Sequence, residues 1–134
     1  MAWLAKFQPQ LLSLLRIVTG LLFLEHGAQK ILHFPPMPAA MAHAIPPQFL
    51  PVIMAAGVIE LIGGVLITVG LFTRLAAFIC AGEMAVAYWM VHFARGGWSP
   101  ANNGGDPAIL FCFVFLFLAA AGPGPIALSR SAKV

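Results

Sequence analysis

Long apolar runs, broken by proline, glycine and single charges, set the pattern of this chain. Four stretches stand out, at residues 11–32, 49–71, 74–95 and 107–122. As helices rising ~1.5 Å per residue, the first three are long enough to cross a hydrocarbon core of ~30 Å. The fourth is shorter, which implies little tilt. The pattern predicts an all-α fold, an integral membrane antiparallel four-helix bundle, as a single domain over 1–134. Pro35, Pro36, Pro38, Pro46 and Pro47 bar a long helix from the first connection. Within it, Met37 to Ile45 is apolar enough to lie at the membrane surface, with His43 a solvated loop residue. Gly70-Leu71-Phe72-Thr73 reads as a tight turn in which Gly70 ends one helix and Thr73 caps the next. Gly96-Gly97 ends the third stretch, and Asp106-Pro107 reads as N-cap and first residue of the fourth. Gly122-Pro123-Gly124-Pro125 then stops it.

Composition agrees with the pattern. The chain of 134 residues is 61% hydrophobic and 8% charged, against about 25% charged for a soluble domain. Its partner is therefore the lipid bilayer. The net charge of +3 comes from scattered single Lys and Arg, with no basic stripe, so nucleic acid is excluded as a partner. Lys6, Arg74, Arg130 and Lys133 share one end of the bundle, with Arg16 near it, and Lys30 and Arg95 mark the other. The positive-inside rule then places both termini in the cytoplasm. Arg16 interrupts the first apolar run, so this run reads as an uncleaved span rather than a signal peptide. Cys80 and Cys112 form no Cys-x-x-Cys and read as small buried hydrophobes, with no metal site.

The ionisable residues inside these stretches carry the functional signal, because such groups are costly in a membrane. Glu25, His26 and Lys30 fall within six positions of the first stretch. At 100° per residue, Thr19, His26, Lys30 and His33 form one stripe with Arg16 at its edge, and Glu25 and Gln29 read as a second, roughly opposite. Glu60 lies mid-way along the second stretch, between Ala56 and Gly64 on a face that a neighbouring helix can approach closely. Glu83 lies at a similar depth on the third, and Tyr88, His92 and Arg95 form a stripe towards its far end. Glu83 and His92 are nine residues apart, which on an ideal helix points them in opposite directions.

Arg16 with Leu22-Phe23-Leu24-Glu25-His26-Gly27-Ala28-Gln29-Lys30, then Glu60-Leu61-Ile62-Gly63-Gly64 running into Gly70-Leu71-Phe72-Thr73-Arg74, resembles the DoxX family. So do Asn103-Gly104-Gly105-Asp106 and the closing Gly122-Pro123-Gly124. The resemblance implies a small four-helix protein of the bacterial or archaeal cell (inner) membrane. It also implies a link to quinone reduction and an oxidoreductase role without settled chemistry. Asp106 stands where a Glu looks more usual, and Arg130 where an acid is expected after the serine.

Two mid-membrane acids cannot both stay charged and unpaired, and Arg16 is the counter-ion in reach of one. Arg16, His26, Glu60 and Glu83 form the candidate catalytic set. In the redox reading, Glu60 and Glu83 pass protons towards His26, which hydrogen-bonds a quinone carbonyl. Lys30 and Arg95 serve as an anion clamp for a sulfur oxyanion or head group, or else as interface anchors. Glu25, His92, Asn103 and Asp106 complete the candidate binding set, although Asn102 and Asn103 also suit a turn and Asp106 a cap. Tyr88, Trp89 and Trp98 suit a membrane-interface belt. Haem between His26 and His92 ranks below quinone, because their depths differ by ~5 Å on ideal helices.

Three functions stay open. The chain is a quinone-linked redox subunit or accessory protein with a soluble or membrane redox partner; a small proton or anion transporter; or a non-catalytic assembly partner. The polar cluster also has a purely structural reading, as an ion-paired fastening of helices. Charges on opposed helix faces further suggest a homodimer.

Overall fold

A computed structural model describes residues 2–38 and 47–129. The expectations for His43, Arg130 and Lys133 fall outside these residues. Among them, all regular structure is helical. After a short turn of helix at Ala2–Ala5, four main helices follow: α1 (Gln8–Ile31), α2 (Leu50–Val69), α3 (Thr73–Gly96) and α4 (Asp106–Ala121). Proline opens α1, α2 and α4, where its missing N–H costs no helical bond. A one-turn helix, Pro100–Asn103, sits in the α3–α4 connection.

The helices form two antiparallel hairpins, α1–α2 and α3–α4, joined mainly through α2 and α3. Apolar burial cannot drive this association in lipid, so close backbone contact and internal hydrogen bonds must. Glycines supply the contact between α1 and α2. A Cβ at Gly64 would stand 2.6 Å from the Leu24 Cα, and one at Gly20 would stand 2.8 Å from the Thr68 amide. Gly27 abuts the backbone of Leu61 in the same way. Between α1 and α4 the core is aromatic. Phe23 meets Phe115 edge-on at 4.7 Å between ring centres and Phe111 at 5.5 Å. Phe23, Ile67, Phe115 and Leu118 are wholly buried and fill the core from the level of Phe23 towards the end of α2.

The end that carries α1's start is sealed by Arg16, which is 1% exposed. Its guanidinium donates to the carbonyls of Ile67 at 2.5 Å and Thr68 at 2.6 Å, in the last turn of α2. It also donates to Pro123 at 2.8 Å and to Ile126, beyond α4. Arg74 does the equivalent for α4, reaching Ala119 at 2.9 Å and Ala120 at 2.5 Å. Cations at helix C-termini oppose the negative end of the dipole. The segment after α4 runs across this end, bonding Leu128 to Val69 and Ser129 to Gly70.

Two capping expectations are corrected. Thr73 does not cap α3: its hydroxyl is buried without a partner, and the chain enters the helix through Phe72 in a left-handed conformation (φ 49°). Asp106 does not cap α4 either, because Gly105 holds the N-cap and Asp106 is already the first helical residue. Gly70 does end α2, with φ 77° and its amide bonded to Leu66 and Ile67.

Candidate functional site

The opposite end of the bundle holds a cavity of about 720 Å³. It lies between the last two turns of α1, the first half of α2, the second half of α3 and the start of α4. Most of its wall is apolar, including Phe23, Ile59, Met84, Ala87 and Phe111. Into this wall project His26, Gln29, Lys30, Glu60, Glu83, His92 and Arg95. The packed aromatic layer forms its floor.

Lys30 and Glu60 form an ion pair at 2.5 Å across the α1–α2 interface. The Glu60 side chain is 2% exposed, whereas that of Lys30 is 23% exposed. Gly57 permits this geometry, because a Cβ there would lie 2.9 Å from the Lys30 Cβ. Only one carboxylate oxygen is used. The second oxygen of Glu60 and one oxygen of Glu83 are buried without a hydrogen-bond partner. Buried polar atoms left unsatisfied are costly and call for an explanation, such as a group that completes them. His26 stands edge-on to Phe111, 6.1 Å between ring centres. The ring of His92 stacks with Tyr88, and its Nδ1 lies 3.2 Å from the Asn103 carbonyl.

The cavity thus gathers His26, Lys30, Glu60, Glu83, His92 and Arg95 among the sequence candidates. It leaves out Arg16, Glu25, Asn103 and Asp106. Arg16 is not the counter-ion of the acids: its donors are taken by carbonyls at the sealed end, and Lys30 takes that place. Glu25 is exposed on the outer face of α1, and Asp106 is exposed at the start of α4. Asn103 ties the connection together, its amide donating to Gly97 at 2.7 Å and accepting from Gly105 at 2.8 Å.

Two angular readings change. Gln29 does not oppose His26; at 100° per residue they stand about 60° apart, and both line the cavity. That spacing of three residues was the available signal. Glu83 and His92 also share the cavity rather than opposite faces. Residues Tyr88–Phe93 form a π-helical turn. Such a turn absorbs one extra residue, so His92 falls about 80° from Glu83 around the axis instead of about 180°. Tyr88 leaves the interface belt for the same region: it is buried, and its hydroxyl donates to the Trp98 carbonyl at 2.9 Å. Trp89 and Trp98 remain exposed. Both cysteines are free.

The model of the DoxX family matches residues 11–93, from α1 into the π-helical turn. The chain belongs to the DoxX family. A Haemophilus influenzae protein described as uncharacterized is 43% identical to this DoxX chain over 110 residues, covering 81% of the chain and 80% of that protein. No solved structure matches. Among the described residues three helices are long and apolar enough to cross a bilayer, so this DoxX chain is a multi-pass membrane protein. The matched stretch carries His26, Lys30, Glu60, Glu83 and His92.

Proposed function

We propose that this DoxX protein is a quinone-linked redox subunit or accessory protein whose cavity receives a quinone head group and handles its protons. The observation that carries this reading is an apolar cavity holding a half-buried ion pair beside two unsatisfied carboxyl oxygens. Its volume of about 720 Å³ lies within the range of ligand pockets, roughly 300–1,000 Å³. The residues fit the group. Lys30 and His26 can each donate to a carbonyl oxygen, and the free oxygens of Glu60 and Glu83 can each bond a hydroxyl. A bound quinone would supply two-electron, two-proton carbonyl chemistry, with electrons from a reduced protein partner. His26 would hold a proton at an imidazole nitrogen and Glu83 at a carboxyl oxygen. Lys30, held by Glu60, would orient the head group without leaving the wall. The apolar lining would exclude water from the proton-exchanging atoms.

Transport of protons or a small anion is the second reading. It would have to breach the layer of Phe23, Ile67, Phe115 and Leu118, so it ranks lower. A non-catalytic assembly role would need neither the cavity nor its acids. Under the redox reading the protein sits in the cell (inner) membrane with its sealed end and termini on the cytoplasmic side. A cysteine at Asn102 should then react with an impermeant maleimide in intact cells, and one at Lys6 should not; the reverse labelling would overturn this orientation.

The deciding experiment uses protein purified in mild detergent. Its lipid extract is analysed for quinone, its visible spectrum is read for haem, and added quinone is titrated. Saturable quinone binding that weakens at least about tenfold in His26→Ala and in Glu83→Gln, with unfolding temperature unchanged, is expected. Equal binding by wild type and both variants would reject the site.

A further inference from the structure

The cavity is not closed on all sides. Val52 and Ala55 of α2, and Ile79, Gly82, Val86 and Met90 of α3, line it and are exposed. A mouth between α2 and α3, along the apolar stretches of both helices, accounts for their exposure. Ile79, Gly82 and Val86 lie on successive turns, so the mouth runs roughly 10 Å along α3. Gly82 is a notch in this strip. Gly20, Gly27 and Gly64 press against a neighbouring backbone, but a Cβ at Gly82 would meet nothing within 4 Å.

The mouth is continuous with the polar wall. Glu60, 1% exposed with one oxygen unpartnered, lines the same cavity as this exposed apolar strip. A ligand spanning this shape needs a polar head for Glu60, Lys30 and Glu83, and an apolar extension that leaves between α2 and α3. A tail-less, water-borne molecule would leave the strip uncovered.

We propose that the α2–α3 mouth is a tail-binding groove, through which a ligand with a long hydrocarbon chain enters from the bilayer, with Gly82 setting the groove's depth. This rests on the quinone reading and deepens it: the substrate class is a long-tailed, lipid-borne quinone. Entry is lateral, and the tail stays in the groove while the head reaches the ion pair. Gly82 is a specificity determinant here, touching tail and not head.

The test compares two benzoquinones with the same ring, one carrying a decyl tail and one carrying none, titrated onto the purified full chain. The variants are Gly82→Trp, Val86→Trp and, as a control on the lipid face of α4, Phe113→Trp. Wild type and Phe113→Trp should bind the tailed compound at least about tenfold more tightly than the tail-less one. In Gly82→Trp and Val86→Trp the ratio of tailed to tail-less affinity, measured within each variant, should fall at least about tenfold. A preference that survives both groove variants overturns the groove but leaves the head-group reading standing. Failure of wild type to bind either compound overturns the head-group reading and this one with it. Recovery of phospholipid instead of quinone from wild type, lost in Gly82→Trp, would assign the groove to a lipid chain and overturn the proposal.

Discussion

At the scale of single residues, the Lys30–Glu60 pair is the most consequential contact in the cavity. Removing one partner of a buried pair costs about 3–5 kcal/mol, because the other charge is left uncompensated. Lys30 is 23% exposed, which screens part of the interaction. Lys30→Met should therefore cost at the low end, about 3 kcal/mol, and Lys30→Met with Glu60→Met should recover most of it. A double-mutant cycle on thermal unfolding in detergent reads this coupling, and additive single costs would show that the pair contributes nothing specific. The sequence exposed both acids and all the bases, because charges stand out in an apolar run. It did not show which base meets which acid. Arg16 and Lys30 are fourteen residues apart on α1, some 21 Å by rise alone. Only the antiparallel register of α1 on α2 decides that Glu60 stands opposite Lys30, and that register rests on glycine contacts made after the helices form.

At the scale of elements, glycine positions decide how closely the helices sit. Gly64 faces the backbone of Leu24 and cannot gain even a methyl group without moving α1. Gly82 faces open space on the same scale of measurement. Gly64→Ala should lower stability by about 1–3 kcal/mol, whereas Gly82→Ala should raise it slightly, by up to about 1 kcal/mol through helix propensity. Equilibrium unfolding of the two variants side by side checks this, and similar effects would mean that α1 and α2 pack less tightly than described. Helix ends were legible in the sequence where chemistry marks them: Pro107 near a start, and Gly70, Gly97 and Gly122 at the ends, whereas Pro9 and Pro51 mark starts that the apolar pattern alone did not single out. Caps resting on Thr73 and Asp106 were misread by a residue, since both sit inside the first turn rather than before it. The π-helical turn at Tyr88–Phe93 was not legible at all. No residue type announces it, yet it carries His92 to the side of Glu83, and so the placement of His92 and Arg95 on the cavity's polar wall depended on it.

At the scale of the whole molecule, the two ends of the bundle are built for different purposes. One end is tied by arginines, which donate to carbonyls at the C-termini of α2 and α4 and, from Arg16, to the segment after α4 drawn across them. The other is held apart around a cavity, with a mouth to the bilayer. Such a division lets the cavity admit a ligand while the helices stay registered at the sealed end. Arg16 is the joint of that end, because its side chain bonds both the last turn of α2 and the segment beyond α4. Its planar fork reaches three places at once, which the single ammonium of a lysine cannot do. Arg16→Lys keeps the charge and should still cost about 3 kcal/mol, since hydrogen bonds to charged groups contribute about 1.5–3 kcal/mol each. The loss should be local. Hydrogen exchange should accelerate in the last turn of α2 and at Leu128 and Ser129, whose amides bond to Val69 and Gly70, while Glu83 and its neighbours on α3 keep wild-type protection. Quinone binding should then fall little, because no atom of Arg16 touches the cavity. Exchange that rises equally at both ends would show that the sealed end and the cavity unfold as one unit, and that the separation of their tasks does not hold.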